Sequence, residues 1–481
     1  MWHTRNGDLG PRFGFAWDVF GNGRTALRGG YGISYDRIFD NVWSNGAWNP
    51  PFYGLLDSDG VAGDSIFYSD PPVVSPSYSP SNPIPRPGYP VSVRTMEQHL
   101  KDSSAQNIYF GAEHQLGQTF LLRVNWQGTL GRHLSQLMNL NRYDGLELNP
   151  TLSLVLPNAY YTGFNYRANN INSNYNALVV EVQKRVSHGL QFQGSYTWSH
   201  LLDYGSDLFT GSTSQGAYSQ PYYFVSNAQP QLEYGNGAFD HRHSIKLALS
   251  YELPVMRNQR GFAGKAAGGW QLTAFWQAYS GHPVEVYSSR PPYAALDANG
   301  NPVLDANGNG INIGGDYNLD GVYNDRPMYV GGSFSAAYSR ANPANGIFKD
   351  NNPVGCGQAG LPANVDDIVP GSPNSCDDNF GVTTPNTLFV NPPGTGVRYS
   401  YLGRNDFFGP WFSNVDFGLF KNFKVTEGTK LQIRFEAFNF TNHPNFDFIV
   451  TDVNSGYFGK SQGLAGAAIS RRLQIGARFL F

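Results

Sequence analysis

Long apolar runs are missing from this 481-residue chain. Nowhere do about 18 apolar residues follow one another, so no transmembrane helix is expected. Charge is scarce as well: charged residues make up 14% of the chain and aromatics 15%, a balance that fits poorly with a solvated α-helical protein. The formal net charge of -3 supplies no basic surface, which argues against nucleic acid as a partner. Catalytic signatures are scarce too, with no H-E-x-x-H and no C-x-x-C, so no enzymatic activity is expected. Gly459-Lys460-Ser461 has the end of a phosphate loop, but Asn454 stands where that motif requires its first glycine. Met1 to Asp8 offer neither a basic segment nor an apolar one for export, so the expectation is that the start is missing or the gene truncated. Only two cysteines occur, Cys356 and Cys376, both in a Gly/Pro/Asn-rich stretch. In an oxidising compartment a disulfide closing that loop is the natural reading, worth about 3 kcal/mol; the alternative is a pair of free thiols.

What is present is alternation. The final segment sets Leu473, Ile475, Ala477, Phe479 and Phe481 against Arg472, Gln474 and Arg478, and the chain then stops. A strand of about ten residues with this pattern suits lipid on one side and water on the other. Ile475, Phe479 and Phe481 are accordingly read as the C-terminal signal to a barrel-assembly machinery. The same period of two recurs at Leu431, Ile433, Phe435 and Ala437 against Lys430, Gln432, Arg434 and Glu436. It recurs again at Phe120 to Gln127 and at Leu190 to Trp198.

Eleven such strands are expected, near 11–20, 25–35, 106–116, 119–129, 175–186, 190–200, 243–252, 270–287, 414–422, 430–438 and 472–481. Tight turns at Gly21-Asn22-Gly23, Gly117-Gln118 and Ser187-His188-Gly189 alternate with long segments near 36–105, 130–174, 201–242, 288–413 and 439–471. Short turns on one rim and long loops on the other is the rule for outer-membrane barrels, with the short rim periplasmic. The fold class expected is therefore all-β, a transmembrane antiparallel barrel with 1–481 as one domain. Bacterial single-chain barrels close with even strand counts, so eleven strands read as the C-terminal half of a barrel of about 22, the plug and first half lying upstream.

Several blocks then carry a family likeness. They are Leu402-Gly403-Arg404-Asn405, Gly409-Pro410-Trp411-Phe412, Phe438-Asn439-Phe440-Thr441-Asn442-His443-Pro444-Asn445, Phe239-Asp240-His241-Arg242-His243, Ser280-Gly281-His282-Pro283 and Asn324-Asp325-Arg326-Pro327. With Pro11 to Asp18 and Arg28 to Gly32, these resemble the C-terminal barrel of TonB-dependent receptor-like proteins of the Oar type. The resemblance implies a signal peptide, an immunoglobulin-type regulatory-like module, a plug and a 22-stranded barrel, of which this sequence carries only the last part. It implies contact with TonB through the plug, an outer-membrane lipid environment in a Gram-negative cell and an extracellular ligand of unknown identity. It carries over no catalytic residue.

Candidate sites are few. Lys430, Arg434, Glu436, Arg472 and Arg478 are expected to face the lumen, as a charged ladder for a plug or polar solute or as charges that neutralise one another across strands. In the longest loop, Asp297-Ala298-Asn299-Gly300-Asn301 recurs as Asp305-Ala306-Asn307-Gly308-Asn309, followed by Asp316, Asn318, Asp320, Gly321, Asn324 and Asp325. Oxygen ligands at alternate positions with a glycine at the sixth suit Ca²⁺, although Pro327 stands where the closing acid belongs; Asx turns use the same residues. His241 and His243, with Asp240, have the spacing of metal ligands but more readily mark a loop-to-strand junction. Three functions remain: a receptor-type barrel passing a large solute, a non-transporting surface interaction protein using its long loops, and a soluble β-rich binding module, the last leaving Phe481 unexplained.

Overall fold

The computed structural model describes residues 7–38, 40–49, 91–143, 156–206, 230–287, 402–426, 428–446, 449–451 and 470–481, with scattered residues between 293 and 464. Eleven strands run through one antiparallel sheet: β1 (Arg12–Asp18), β2 (Thr25–Asp36), β3 (Ser103–Leu116), β4 (Phe120–Asn139), β5 (Tyr161–Ser187), β6 (Leu190–Asp203), β7 (His243–Glu252), β8 (Trp270–Tyr279), β9 (Phe412–Lys424), β10 (Lys430–Phe438) and β11 (Arg472–Leu480). Each pairs with its neighbour in sequence, so the sheet is a meander in which, among the described residues, β1 and β11 form the two edges. Two short strands, Val91–Met96 and Gly235–Asn236, join it off this path. All eleven expected strands are present, and among the described residues no helix is long and apolar enough to cross a membrane.

Tight turns hold because their residues accept left-handed backbone. At the first turn Gly21 and Gly23 have φ of 67 and 69, and the Asp18 carboxylate accepts from both amides at 3.1 and 2.7 Å.

Pairing register carries one chemistry across the whole sheet. Trp17 lies opposite Leu27, and the row continues through Ala112, Val124, Val180, Tyr196, Ile245 and Ala278. One residue along, the row reads Asp18, Ala26, Glu113, Arg123, Glu181, Ser195, Lys246, Gln277 and Asn414. Because side chains alternate faces, one side of the sheet is predominantly apolar and the other predominantly polar. A sheet that exposes Leu473 at 76% and Ile475 at 74% on its apolar side is built for a hydrocarbon solvent.

The structure corrects the expected boundaries in two places. β4 and β5 have 20 and 27 residues, or roughly 66 and 89 Å at about 3.3 Å per residue, so they continue far past a bilayer core of about 30 Å. Much of the expected loop 130–174 is therefore strand, with Val91–Met96 added in parallel to Tyr161–Arg167. Conversely β8 ends at Tyr279 rather than 287, because Ser280-Gly281-His282 interrupts the ladder before Pro283.

Candidate functional site

Among the described residues, the largest fully buried side chains do not lie between layers of the sheet. They include Arg404, Glu233, Glu285, Asn405, Asn445 and Asp240, and most gather where β6 to β9 give way to the long connections. Burying polar groups is costly unless their hydrogen bonds are made, and most of these side chains are held by a dense set of them.

Arg404 is its centre. Its Nε donates to the Glu233 carbonyl at 2.7 Å, its Nη2 donates to the Asp203 carbonyl at 2.6 Å, and the same nitrogen pairs with the Asp203 carboxylate. Next to it Asn405, at φ 56, exchanges bonds with Asn236: Asn405 Nδ2 donates to the Asn236 carbonyl at 2.7 Å, and Asn236 Nδ2 to the Asn405 carbonyl at 3.0 Å. Asparagine tolerates that left-handed backbone better than most residues. Gly235 is required here, since a Cβ would collide with the Arg404 carbonyl. The other blocks arrive at the same place. Asp240 accepts from the Leu201 amide at 2.7 Å and from Arg242 Nε at 3.3 Å. A side chain at Gly281 would strike the Gly409 carbonyl, while the Gly409 amide donates to His282 at 2.8 Å. Asn445 holds both backbone groups of Ser413, at 2.7 and 3.0 Å.

A second layer of charge lies against this knot. Arg326 donates to Glu233 Oε1 at 2.7 Å and stands 3.5 Å from Glu285 Oε1. Neither oxygen of Glu285 has a hydrogen-bond donor among the described residues. Burial pushes its carboxyl up to about 7 despite Arg326 and Arg404, with Glu233 adding to the rise, and the two glutamates hold Arg326 above its ordinary value against the opposing effect of burial. Raised above its ordinary 4.5, the Glu285 carboxyl contributes stability that is present in acid and lost as pH rises toward about 7. Glu285→Gln is therefore expected to remove that slope and to leave the loop base more stable than wild type at pH 8, by on the order of 3 kcal/mol. Loop protection from protease, followed against pH, measures it; an unchanged slope in the variant would assign the titration elsewhere.

The expected site residues fall into three groups. Lys430, Arg434, Glu436, Arg472 and Arg478 share the polar face, but register sets them opposite Leu480, Gly476, Gln474, Phe438 and Gln432, so no acid faces a base among them. Arg434 bonds Gln432 at 2.7 Å and lies 5.0 Å over the Phe420 ring. Charges do alternate on this face elsewhere: Arg28 meets Glu113 at 2.7 Å, Glu113 meets Arg123 at 3.4 Å and Arg123 meets Glu181 at 3.4 Å. On the other face, Ile475 lies opposite Phe435 and Phe479 opposite Leu431, with Phe481 just beyond the strand. Of the acidic loop, Asp316 and Asp325 are buried, while Asn318, Asp320 and Asn324 lie outside the described residues, as do Cys356 and Cys376. His241 and His243 are occupied structurally: His241 Nδ1 meets the Ser280 carbonyl at 2.7 Å, and His243 Nδ1 meets the Tyr196 hydroxyl at 2.9 Å.

A family model described as the outer membrane beta barrel domain matches residues 1–474. The chain belongs to this family. The eleven-stranded sheet is thus part of an outer-membrane barrel wall, its apolar face the lipid face, and the protein resides in the outer membrane. No curated protein matches the sequence. Similar solved structures include the outer membrane transporter YddB from Escherichia coli, at 9% identity and TM-score 0.40 over 98% of this chain and 40% of that one. Pseudomonas aeruginosa FpvA bound to a heterologous pyoverdine has 8% identity and TM-score 0.39 over 99% and 33%. The FrpB iron transporter from Neisseria meningitidis (F5-1 variant) has 9% identity and TM-score 0.39 over 98% and 39%. The chain spans two fifths or less of the length of these three structures. In this barrel wall the buried knot fixes where the long connections leave the strands.

Proposed function

We propose that the chain is the trailing part of an Oar-like receptor of the TonB-dependent type, taking part in the binding and passage of a large solute across the outer membrane. The observation that carries this reading is the open meander, in which β1 and β11 each have one strand neighbour among the described residues. Eleven strands leave two edges that barrels otherwise abolish, and a preceding half would pair with both. On this reading the polar face lines a lumen wide enough for a plug, and TonB acts through that plug. Lys430, Arg434, Glu436, Arg472 and Arg478 then line the wall beside it, and the barrel-assembly machinery reads the Ile475, Phe479 and Phe481 face of β11.

A second reading is a non-transporting interaction protein of the cell surface. The extension of β4 and β5 beyond bilayer thickness favours it, because a rigid rod of sheet holds recognition loops away from the membrane. Antiserum raised against the segment 356–376, used on outer-membrane fractions of the source cell, separates the two. A band much heavier than 53.0 kDa is the result expected for a trailing part. A band at that mass would sink the transport reading and leave the surface one.

A further inference from the structure

The connection between β7 and β8, residues 253–269, is longer than the other described turns at its rim and carries its own helix, α1 (Gly261–Ala267). It contains Arg257, Arg260 and Lys265 and no acidic residue, in a chain whose net charge is -3. All three cations are exposed. So are three apolar side chains, Val255, Met256 and Phe262, the last at 91%. A turn dipping into water has no reason to display Phe262, and solvated apolar side chains of this size grouped with cations mark an interaction surface.

The turn is fastened to the lipid side of the wall. Lys421, on the apolar face opposite Trp270, donates from Nζ to the Ala266 carbonyl at 2.8 Å and also to the Gly268 carbonyl. Trp270 Nε1 donates to the same Ala266 carbonyl at 3.2 Å, and the Lys421 ammonium lies 4.9 Å over the Trp270 ring. From the other side Gln259 is clamped to β9: its Nε2 donates to the Asn422 carbonyl at 2.9 Å, and its Oε1 accepts from the Lys424 amide at 3.1 Å. Bonds at both ends of α1 hold it as a rigid ledge continuous with the apolar band. Lys184 makes the same kind of ring contact at this rim, lying 5.0 Å over Phe120 on the apolar face.

We propose that residues 253–269 are a membrane-interface anchor, in which Phe262, Val255 and Met256 enter the acyl region of the periplasmic leaflet and Arg257, Arg260 and Lys265 bind anionic phospholipid headgroups. The physics is that of a short amphipathic segment lying in the interface, with apolar side chains below the headgroups and cations among them. The cationic side chains have stems long enough to reach headgroups while the aromatic stays in hydrocarbon. This rests on the reading that the short-turn rim is periplasmic.

Site-directed spin labelling tests it in the whole native protein, with Cys356 and Cys376 changed to Ser. A nitroxide introduced through Phe262→Cys is compared with one through Phe435→Cys on the lipid face and one through Asn22→Cys in the first tight turn. Relaxation by oxygen and shielding from a water-soluble nickel chelate should make position 262 resemble position 435. If 262 resembles 22 while 435 behaves as lipid-exposed, the anchor is overturned and the barrel wall stands. If 435 itself resembles 22, the wall assignment fails and takes the anchor with it. In vesicles of phosphatidylcholine, adding phosphatidylglycerol should draw the 262 label deeper, and the triple change Arg257→Gln, Arg260→Gln, Lys265→Gln should abolish that response. A depth indifferent to phosphatidylglycerol in the unmodified turn overturns the headgroup assignment.

Discussion

Replacing Arg404 with Met is expected to cost about 3–5 kcal/mol, confined to the loop base and leaving the sheet intact. The side chain is 2% exposed and bonds the Glu233 and Asp203 carbonyls together with the Asp203 carboxylate. Methionine has similar reach, so the loss is not one of volume; it strands buried acceptors, which is what makes breaking one side of a buried pair expensive. Ser206 Oγ still donates to Asp203 at 2.7 Å, and that remaining bond moderates the loss toward the lower end of the range. The strands draw their bonds from one another and their apolar face from lipid, and neither depends on Arg404. The variant should therefore keep its heat-modifiable migration on gels while its long connections become cleavable by protease added to intact cells. Loss of heat modifiability would mean that the knot is needed to form the wall. Protection equal to wild type would mean that the connections are held by something else.

That separation between wall and knot also explains what the sequence discloses. The wall was legible because each strand faces two solvents, and the period of two that results survives in Leu431, Ile433, Phe435 and Ala437 without any knowledge of partners. The outer ends of β4 and β5 were not, because Arg167-Ala168-Asn169-Asn170-Ile171-Asn172-Ser173-Asn174 has the composition of a loop and becomes strand only by pairing. The charge row on the polar face needs register as well: Arg28 and Glu181 are far apart in sequence and join through Glu113 and Arg123. The knot was half legible. Arg404, Asn405, Asp240, Gly281, Gly409 and Asn445 stood out as parts of the blocks that carry the family likeness, but nothing in the one-dimensional pattern says that the blocks meet. Their acidic partners Asp203, Glu233 and Glu285 carry no periodic signal at all. The one available hint was an isolated charge among apolar neighbours, as in Pro283-Val284-Glu285-Val286-Tyr287.

Placing arginine at Phe435 is expected to cost about 2–4 kcal/mol of insertion near the bilayer midplane, and Ile475→Arg should act in the same way. The two residues face each other across β10 and β11, and Leu419 lies on the other side of Phe435 in the same apolar row. A guanidinium there has no acid to pair with and sits mid-strand, where its stem is least able to carry the charge to either interface. Arg434, one residue away, shows that the sheet accepts arginine when the pleat turns it to the polar side, where it bonds Gln432. Position, not residue type, sets the penalty. The comparison to run is wild type, Phe435→Arg, Ile475→Arg and a polar-face control, Gln474→Arg, each scored for the heat-modifiable, urea-resistant form in outer-membrane fractions. Gln474 lies opposite Glu436, so an arginine there gains a partner and should assemble like wild type. Equal assembly of all four would contradict the face assignment of β10 and β11. A deficit in Gln474→Arg alone would invert it, turning the charged row toward lipid.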